Sequence, residues 1–198
     1  MGAAKVCGLP VEKVVIHNQL IGGGFGRRLE SDFIFQAVDI ARQLSYPIKL
    51  IWSREEDMTH DFYRPGAVAR FRGAVQDGKA VLLDGQIAAQ SCVTQAMGRW
   101  LGFAPGGPDK GHVSGAFDQP YAIPNYRIRG YLAEMDLPVG FWRSVGASFN
   151  GFFHDTFLDE MAVAAGRDPL EIRLELMRGE HAPSAACLEA VRAMSGWT

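Results

Sequence analysis

Residues 68–91 read VARFRGAVQDGKAVLLDGQIAAQS, and this stretch decides the class of fold. Two strand-like runs, 68–75 and 80–91, lie on either side of the pair Asp77-Gly78. Because an Asp-Gly pair accepts the positive φ angles of a tight turn, the stretch predicts an antiparallel hairpin. Another strand-like run covers residues 126–135, so we expect an antiparallel sheet in this part of the chain.

Helical patterns flank the predicted sheet along the chain. Apolar residues recur at three- and four-residue spacing, which predicts helices over 33–44, 149–165, 169–177 and 183–194. The expected N-caps of the first three are Ser31, Ser148 and Asp168, and Gly166 is the expected left-handed residue after the second. Residues 96–124, rich in Gly and Pro, predict a long ordered loop. The predicted fold is therefore α+β, with a mixed or antiparallel sheet and helices packed on it.

The first 65 residues predict a unit of their own. Residues 13–21, KVVIHNQLI, have the β-branched density of a buried strand, and residues 48–52 are a second candidate strand. A glycine loop and the first helix lie between them, which gives the order strand, loop, helix, strand. We therefore divide the chain into this unit at 1–65, a sheet with the long loop at 66–147, and a helical segment at 148–198.

The composition excludes several classes of protein. The 198 residues carry a formal net charge of -2, with 47% hydrophobic and 21% charged residues, which is typical of a globular domain and not of a disordered, fibrous or nucleic-acid-binding chain. The three cysteines are far apart, so we expect no disulfide framework and any iron–sulfur cluster on another chain. No run of about 18 apolar residues occurs, so no direct membrane insertion is expected.

The segment GGGFGRR at residues 22–28 stands out by its glycines. A dinucleotide fingerprint requires a third glycine where Arg27 stands, and a P-loop requires a Gly-Lys-Ser/Thr ending that is absent. What remains is a row of backbone N–H groups that few side chains cover, beside two arginines, which suits an oxyanion or a pyrophosphate. The alternative is an ordinary tight turn with solvated arginines.

A second glycine cluster, LPVGFWRSVG, covers residues 137–146. Like the first cluster it lies between a predicted strand and a predicted helix, so we expect both loops at one edge of the sheet. Trp142 and Arg143 also fit a packing anchor and an ion pair. The presence of two such loops favours a shared binding site over two unrelated turns.

Four motifs in a fixed order carry a resemblance to a known family. They are GGGFGRR at 22–28, SREEDM followed by HDFYRP at 53–65, PYAIPNY at 120–126, and LPVGFWRSVG at 137–146. In these motifs the chain resembles the molybdenum-cofactor subunit of the xanthine dehydrogenase and aldehyde oxidase family, over about residues 14–177. It is most similar to large subunits of the isoquinoline 1-oxidoreductase type. In these subunits the glycine motif that matches GGGFGRR ends in paired arginines, and the motif that matches LPVGFWRSVG reads WRSVG.

The resemblance implies a cofactor, a reaction and partners. Proteins of this family hydroxylate heteroaromatic rings next to nitrogen, or aldehydes, with water as the oxygen source. They do so at a molybdenum held by molybdopterin, here expected in its cytosine dinucleotide form. Electrons pass to [2Fe-2S] clusters, which implies an iron–sulfur small subunit and the remainder of the large subunit as partners.

Cofactor-binding residues follow from the matching motifs. The resemblance assigns this role to Gly22, Gly23, Gly24, Phe25, Gly26 and Arg143. The glycine loop would bring backbone N–H groups to oxygen ligands of the metal, where preorganised donors stabilise negative charge. The guanidinium of Arg143 would donate to pterin or phosphate oxygens in a planar fork.

Two departures from the family pattern limit the substrate. Purine oxidisers end the first motif in Lys-Glu, but Leu29 stands here in place of that glutamate. The motif LPVGFWRSVG at 137–146 has Val145 where purine oxidisers have a phenylalanine that stacks on the purine ring. A purine is therefore not expected, and an isoquinoline-like ring or an aldehyde suits this more apolar pocket.

No catalytic residue and no metal ligand is assigned within this chain. The family's general base, a glutamate near the end of the large subunit, falls outside these residues, so we expect a fragment of a longer subunit that does not turn over alone. Six carboxylates are interpreted as exposed helix or turn residues, namely Glu55, Glu56, Asp57, Glu134, Asp159 and Glu160. The scattered histidines are interpreted as surface or hydrogen-bonded groups, namely His17, His60, His112, His154 and His181.

Two other hypotheses stay open from the sequence. One is a non-catalytic cofactor-binding or assembly module that docks to an iron–sulfur partner. The other is an oxyanion or nucleotide binder of unrelated descent, which the row of uncovered amides alone would also suit. The compartment, cytoplasmic or periplasmic, is left open as well.

Overall fold

The computed structural model describes residues 2–104 and 106–198, and it separates them into two compact units. The first comprises the described residues up to Arg64 together with Gly140–Arg143. The second comprises those of Pro65–Val139 and Ser144–Thr198. The three-part division at residues 65 and 147 stays a prediction.

The second unit is built on the expected hairpin. Strands β1 (Ala67–Gln76) and β2 (Lys79–Ala89) pair antiparallel, with Gln76 opposite Lys79. Asp77 and Gly78 have φ angles of 52° and 72°, as a tight two-residue hairpin turn requires. The hairpin is therefore confirmed.

The third strand corrects the expectation of an antiparallel sheet. Strand β3 (Asn125–Leu132) pairs with β2 in parallel, with Leu82 opposite Asn125, so the three-stranded sheet is mixed. A parallel neighbour requires a crossover connection of a dozen or more residues, and the 35-residue connection 90–124 supplies it. The predicted α+β class, with a mixed sheet and helices, is confirmed.

This crossover is more ordered than the expected loop at 96–124. Helix α4 (Cys92–Leu101) begins after Ser91, whose hydroxyl accepts the N–H of Thr94 at 2.9 Å, and ends at the left-handed Gly102. A one-turn 3-10 helix follows at Lys110–Val113. The glycines predicted only a loop, whereas here one of them terminates a helix; Pro105 of this stretch lies outside the described residues.

Three helices complete the second unit, α5 (Ala147–Ala164), α6 (Pro169–Arg178) and α7 (Ala182–Ser195). They confirm the expected helices, and Gly166 takes the left-handed conformation after α5. The N-cap of α5 is Gly146 and not Ser148, which corrects the expected cap. The apolar core joins the hairpin to these helices through Leu83, Tyr121, Ile123, Leu158, Met161 and Leu174.

His154 of α5 lies inside this core and is 1% exposed. Its ring stacks on Tyr121 with centroids 5.4 Å apart, and the rings of Phe71 and Tyr126 lie at 6.4 and 5.8 Å. Burial lowers the pKa of His154 to about 4, because the charged imidazolium would lose its hydration. His154 is thus a neutral histidine of the core, and we assign it a role in the stability of the second unit.

The caps of α6 and α2 make a matched pair for measuring stability. Asp168 accepts the N–H groups of Leu170 and Glu171 at 2.9 and 3.0 Å, whereas Ser31, before α2 (Asp32–Ala41), makes no side-chain cap bond. We expect Asp168→Ala to lower the free energy of unfolding by about 1 kcal/mol, and Ser31→Ala to leave it nearly unchanged. Urea unfolding measures both, and equal losses would contradict the capping role.

The first unit differs most from expectation. It contains helices α1 (Gly2–Cys7), α2 and α3 (Arg54–Thr59), with one-turn 3-10 helices at Val11–Lys13 and Arg27–Leu29. The strands predicted at 13–21 and 48–52 do not form among the described residues. A β-branched run becomes a strand only beside a hydrogen-bonding neighbour, and none of the described segments pairs with either run.

Across residues 2–104 and 106–198, no helix combines the length and the apolar character that crossing a membrane requires.

Candidate functional site

The first glycine loop has an uncommon backbone. Gly23 and Gly26 have φ angles of 128° and 92°, and Phe25, which carries a side chain, has a φ of 51°. Non-glycine residues rarely adopt positive φ, and such residues cluster at binding and active sites. The loop closes when the N–H of Leu29 donates to the carbonyl of Gly26 at 3.1 Å.

The backbone N–H groups of residues 22–26 point to no acceptor within the described chain. Gly22, Gly23 and Phe25 are exposed, and Gly24 and Gly26 are partly exposed. A Cβ atom added at Gly22 would meet nothing within 4 Å, so the loop is open on this side. Unpaired donors in an open, tightly curved backbone form the kind of concave site that binds anionic oxygens.

The second glycine loop lies directly against the first, within the same unit. A Cβ atom added at Gly26 would lie 2.3 Å from the carbonyl oxygen of Phe141. The guanidinium carbon of Arg143 lies 4.4 Å from the ring centroid of Phe25, a cation–π contact. The structure therefore brings Phe25 and Arg143 together, although the strand expected before the first loop is absent.

Segment 60–64 holds the second loop in place, a role that the sequence did not indicate. The indole Nε1 of Trp142 donates to the carbonyl of Phe62 at 2.9 Å, and the N–H of Gly140 donates to the carbonyl of Tyr63 at 3.0 Å. The guanidinium of Arg64 donates to the carbonyl of Arg143 at 2.9 Å. The motif HDFYRP was the available signal, because it covers this segment.

The two adjacent arginines have different environments. Arg27 pairs with Asp32 through two hydrogen bonds of 3.0 and 2.8 Å, and its Nε lies 2.7 Å from Asp61. Burial opposes the charge on both partners, but their mutual attraction is stronger, so the pKa of Asp32 lies below its ordinary value. Arg28 stands over the ring of Phe33 at 5.4 Å and faces a cavity.

That cavity has a volume of about 840 Å³ and opens beside the glycine loop. Its walls come from loop residues 23–25, one face of α2, residues 50–54 and Trp142. The size is that of a site for a small molecule or cofactor, and its lining combines aromatic and aliphatic side chains with arginines and with the carboxylates of Asp57 and Asp61.

A comparison with known proteins identifies the family. A sequence model described as "Molybdopterin cofactor-binding domain" matches residues 1–177. The chain belongs to this family. The structure thus places the first glycine loop, at Phe25, in contact with Arg143 of the second glycine loop within a molybdopterin cofactor-binding domain.

Curated relatives agree with this assignment. Isoquinoline 1-oxidoreductase subunit beta of Brevundimonas diminuta is 29% identical over 98% of this chain. The aldehyde oxidoreductase molybdenum-binding subunit of Escherichia coli is 32% identical over 86%, and a membrane-bound aldehyde dehydrogenase of Gluconacetobacter polyoxogenes, named for pyrroloquinoline quinone, is 33% identical over 89%. This chain spans 25%, 22% and 24% of the lengths of these relatives, respectively.

The residues present fit an anionic pterin cofactor. A Cβ at Gly26 would occupy the contact between the loops, the uncovered N–H groups are donors, and Arg143 adds a positive charge beside them. Donors and cations match the oxygens of molybdopterin and its phosphate, and the buried carboxylate of Glu30 lies on the side of the second loop, its Oε1 3.6 Å from the Cβ that Gly140 would carry.

The carboxylates excluded from catalysis lie on the surface. Glu55, Glu56, Glu134, Asp159 and Glu160 are exposed, whereas Asp57 is partly exposed and lines the cavity. Among the described residues, no three His, Cys, Asp or Glu side chains are grouped so as to hold a metal ion.

Proposed function

We propose that residues 22–26 and Arg143 bind molybdopterin in a molybdenum hydroxylase that oxidises N-heteroaromatic rings or aldehydes. The observation that carries the proposal is the contact of Arg143 with Phe25, which places a guanidinium against the loop whose five backbone N–H groups have no acceptor among the described residues. Donors fixed before binding stabilise developing negative charge without the cost of reorganisation.

Each part of the site has its own task. When bound, the cofactor supplies a molybdenum centre that transfers oxygen from water to carbon and accepts two electrons. The loop N–H groups orient its oxygens by donation, and Arg143 donates to pterin or phosphate oxygens. The ring of Phe25, itself 54% exposed, packs against this arginine in a cation–π contact.

The substrate class rests on two side chains. Leu29, at the position where purine oxidisers have a glutamate, is 54% exposed and offers no polar contact to a purine. Val145 provides no ring for stacking. We therefore assign an isoquinoline-like heterocycle or an aldehyde, in line with the names of two relatives.

The electron acceptor is proposed to be a [2Fe-2S] subunit. The three cysteines of this chain, Cys7, Cys92 and Cys187, form no disulfide and stand far apart in sequence, a spacing that is not typical of cluster ligands. We further propose the cytosine dinucleotide form of the cofactor, whose second phosphate would offer further oxygens to the guanidinium of Arg143.

Purification of the tagged chain with its copurifying subunits tests the proposal. We expect about one molybdenum per chain, release of a cytidine nucleotide on acid treatment, and oxidation of isoquinoline or benzaldehyde but not hypoxanthine. Arg143→Ala should lower the molybdenum content at least about tenfold, because donors that surround a bound metal group often contribute that much. Arg178→Ala, which removes an exposed ion pair to Glu189, is the control.

Other results would lead to different conclusions. A bound quinone in place of molybdenum would overturn the cofactor assignment. Full molybdenum occupancy with no oxidation of any tested ring or aldehyde by the complete complex would favour the non-catalytic or assembly module. Turnover by the 198-residue chain alone would contradict the expectation that the general base lies elsewhere.

A further inference from the structure

Residues 60–64, HDFYR, contact both glycine loops of the first unit. Toward the second loop they present the carbonyl groups of Phe62 and Tyr63, which accept from Trp142 and from Gly140. Toward the first loop they present the carboxylate of Asp61, which lies 2.7 Å from Arg27 Nε. One short segment therefore connects two loops that are more than 110 residues apart in sequence.

Arg27 is the link on the side of the first loop. It follows Gly26 directly, its side chain is only 14% exposed, and it lies between the rings of Trp52 and Phe62 at 5.5 and 5.7 Å. Its two terminal nitrogens bind Asp32 at the start of α2, while Nε faces Asp61. A buried arginine with two carboxylate partners fixes the backbone to which it is attached.

Asp61 connects this arginine with the backbone of its own segment. Its Oδ1 atom also accepts the N–H of Phe62 at 2.8 Å, so the carboxylate orients the peptide group next to it. The carbonyl of Phe62 then accepts a hydrogen bond from the indole of Trp142, the residue before Arg143. A continuous path of contacts runs from the end of the first loop to Arg143.

We propose that Arg27 and Asp61 are positioning residues that hold Phe25 and Arg143 in register for the cofactor. This inference rests on the proposed function of the loops. Both side chains line the cavity, but their described partners are protein groups: Arg27 acts through the backbone of Gly26, and Asp61 acts through Phe62 and Trp142. The paired arginines thus have different partners, since Arg27 binds Asp32 and Asp61 whereas Arg28 packs on Phe33.

Lysine cannot replace Arg27 in this arrangement. The guanidinium makes two parallel bonds to Asp32 and presents a third nitrogen to Asp61, whereas an ammonium group is a single point of charge. Arg27→Lys should therefore keep the positive charge but lose the fixed position of the first loop relative to the second. Arg27→Gln should lose both.

Amide hydrogen exchange in the full 198-residue chain, measured by NMR without cofactor, tests the connection itself. We expect Arg27→Gln and Asp61→Asn each to accelerate exchange of the Leu29 and Gly140 amides at least about tenfold, because local opening exposes these bonds. Arg27→Lys should give a smaller acceleration. Arg42→Gln, which removes an exposed pair with Asp39 on α2, is the matched control and should change neither amide. Unchanged exchange of the Leu158 amide in each variant shows that the second unit is still folded.

Metal analysis of the purified complexes then tests the consequence for the cofactor. Arg27→Gln should lower molybdenum per chain at least about tenfold, and the electron paramagnetic resonance spectrum of the retained metal should change, as partners outside the first contact shell alter a bound metal. Loss of metal with an unaltered spectrum would overturn the positioning role, and so would exchange at Gly140 equal to wild type. If wild type itself lacks molybdenum while both amides respond, the proposed function fails and the connection between the loops stands.

Discussion

Gly26→Ala is expected to abolish most cofactor binding, the largest effect of any single methyl group in the first unit. The added Cβ would lie 2.3 Å from the carbonyl oxygen of Phe141 and 2.9 Å from the nitrogen of Trp142, both backbone atoms that cannot rotate away. Normal contact is about 3.5 Å, so the loops must separate by about 1 Å, and a displacement of that size can cost about 100-fold in function. Molybdenum per chain in the purified complex measures the loss.

Gly8→Ala is the control for this experiment. Gly8 lies in the same unit and also has a positive φ, 69°, but a Cβ there would meet nothing within 4 Å. It shares a positive φ with the first variant but not the collision, so its molybdenum content should equal that of wild type. If both variants lose metal equally, strain and not the contact between the loops is the cause.

Acidification is expected to destabilise the second unit through His154. Burial lowers the folded-state pKa to about 4, whereas an unfolded histidine titrates near 6.5, so the unfolded chain binds more protons between these values. The free energy of unfolding is therefore unaffected by this group above about pH 6.5 and falls as the pH drops toward 4. The loss is about 2 kcal/mol at pH 5 and about 3 kcal/mol below pH 4.

The substitution His154→Phe separates the contribution of His154 to the pH dependence from that of the other titratable groups. His154→Phe keeps a flat ring against Tyr121 and removes the proton site, so the decline in stability between pH 7 and pH 5 should shrink by about 2 kcal/mol in urea unfolding. His17→Gln, at an exposed residue of the first unit, should decline as wild type does. An equal decline in all three proteins would refute the assignment to His154.

Local sequence signals predicted the second unit well. The Asp77-Gly78 turn requires only the φ preferences of two adjacent residues. The cap of α6 requires only that the carboxylate of Asp168 stands three residues before the backbone N–H group that donates to it. Such features are decided within four residues, so they can be read from sequence. The direction of β3 could not, because it depends on the path of a connection that contains its own helix.

The candidate site was predicted in part. The glycines of 22–26 and Arg143 were named from their motifs, and the structure places them in contact. Asp61 and the carbonyl of Phe62 were not named, although they connect the loops. A backbone carbonyl has no sequence signature, and the partner of a carboxylate depends on which residues become its neighbours.

By itself, the sequence determined the class of fold, the hairpin, the helices α2, α5, α6 and α7, and the family, because each follows from short-range preferences or from motifs in order. Only the tertiary structure decided that the runs at 13–21 and 48–52 remain unpaired, that β3 runs parallel to β2, and that Arg27 binds Asp32 and Asp61 while Arg28 packs on Phe33. Pairing partners, strand direction and the division of work between identical side chains are properties of residues distant in sequence, and these are set when the chain packs.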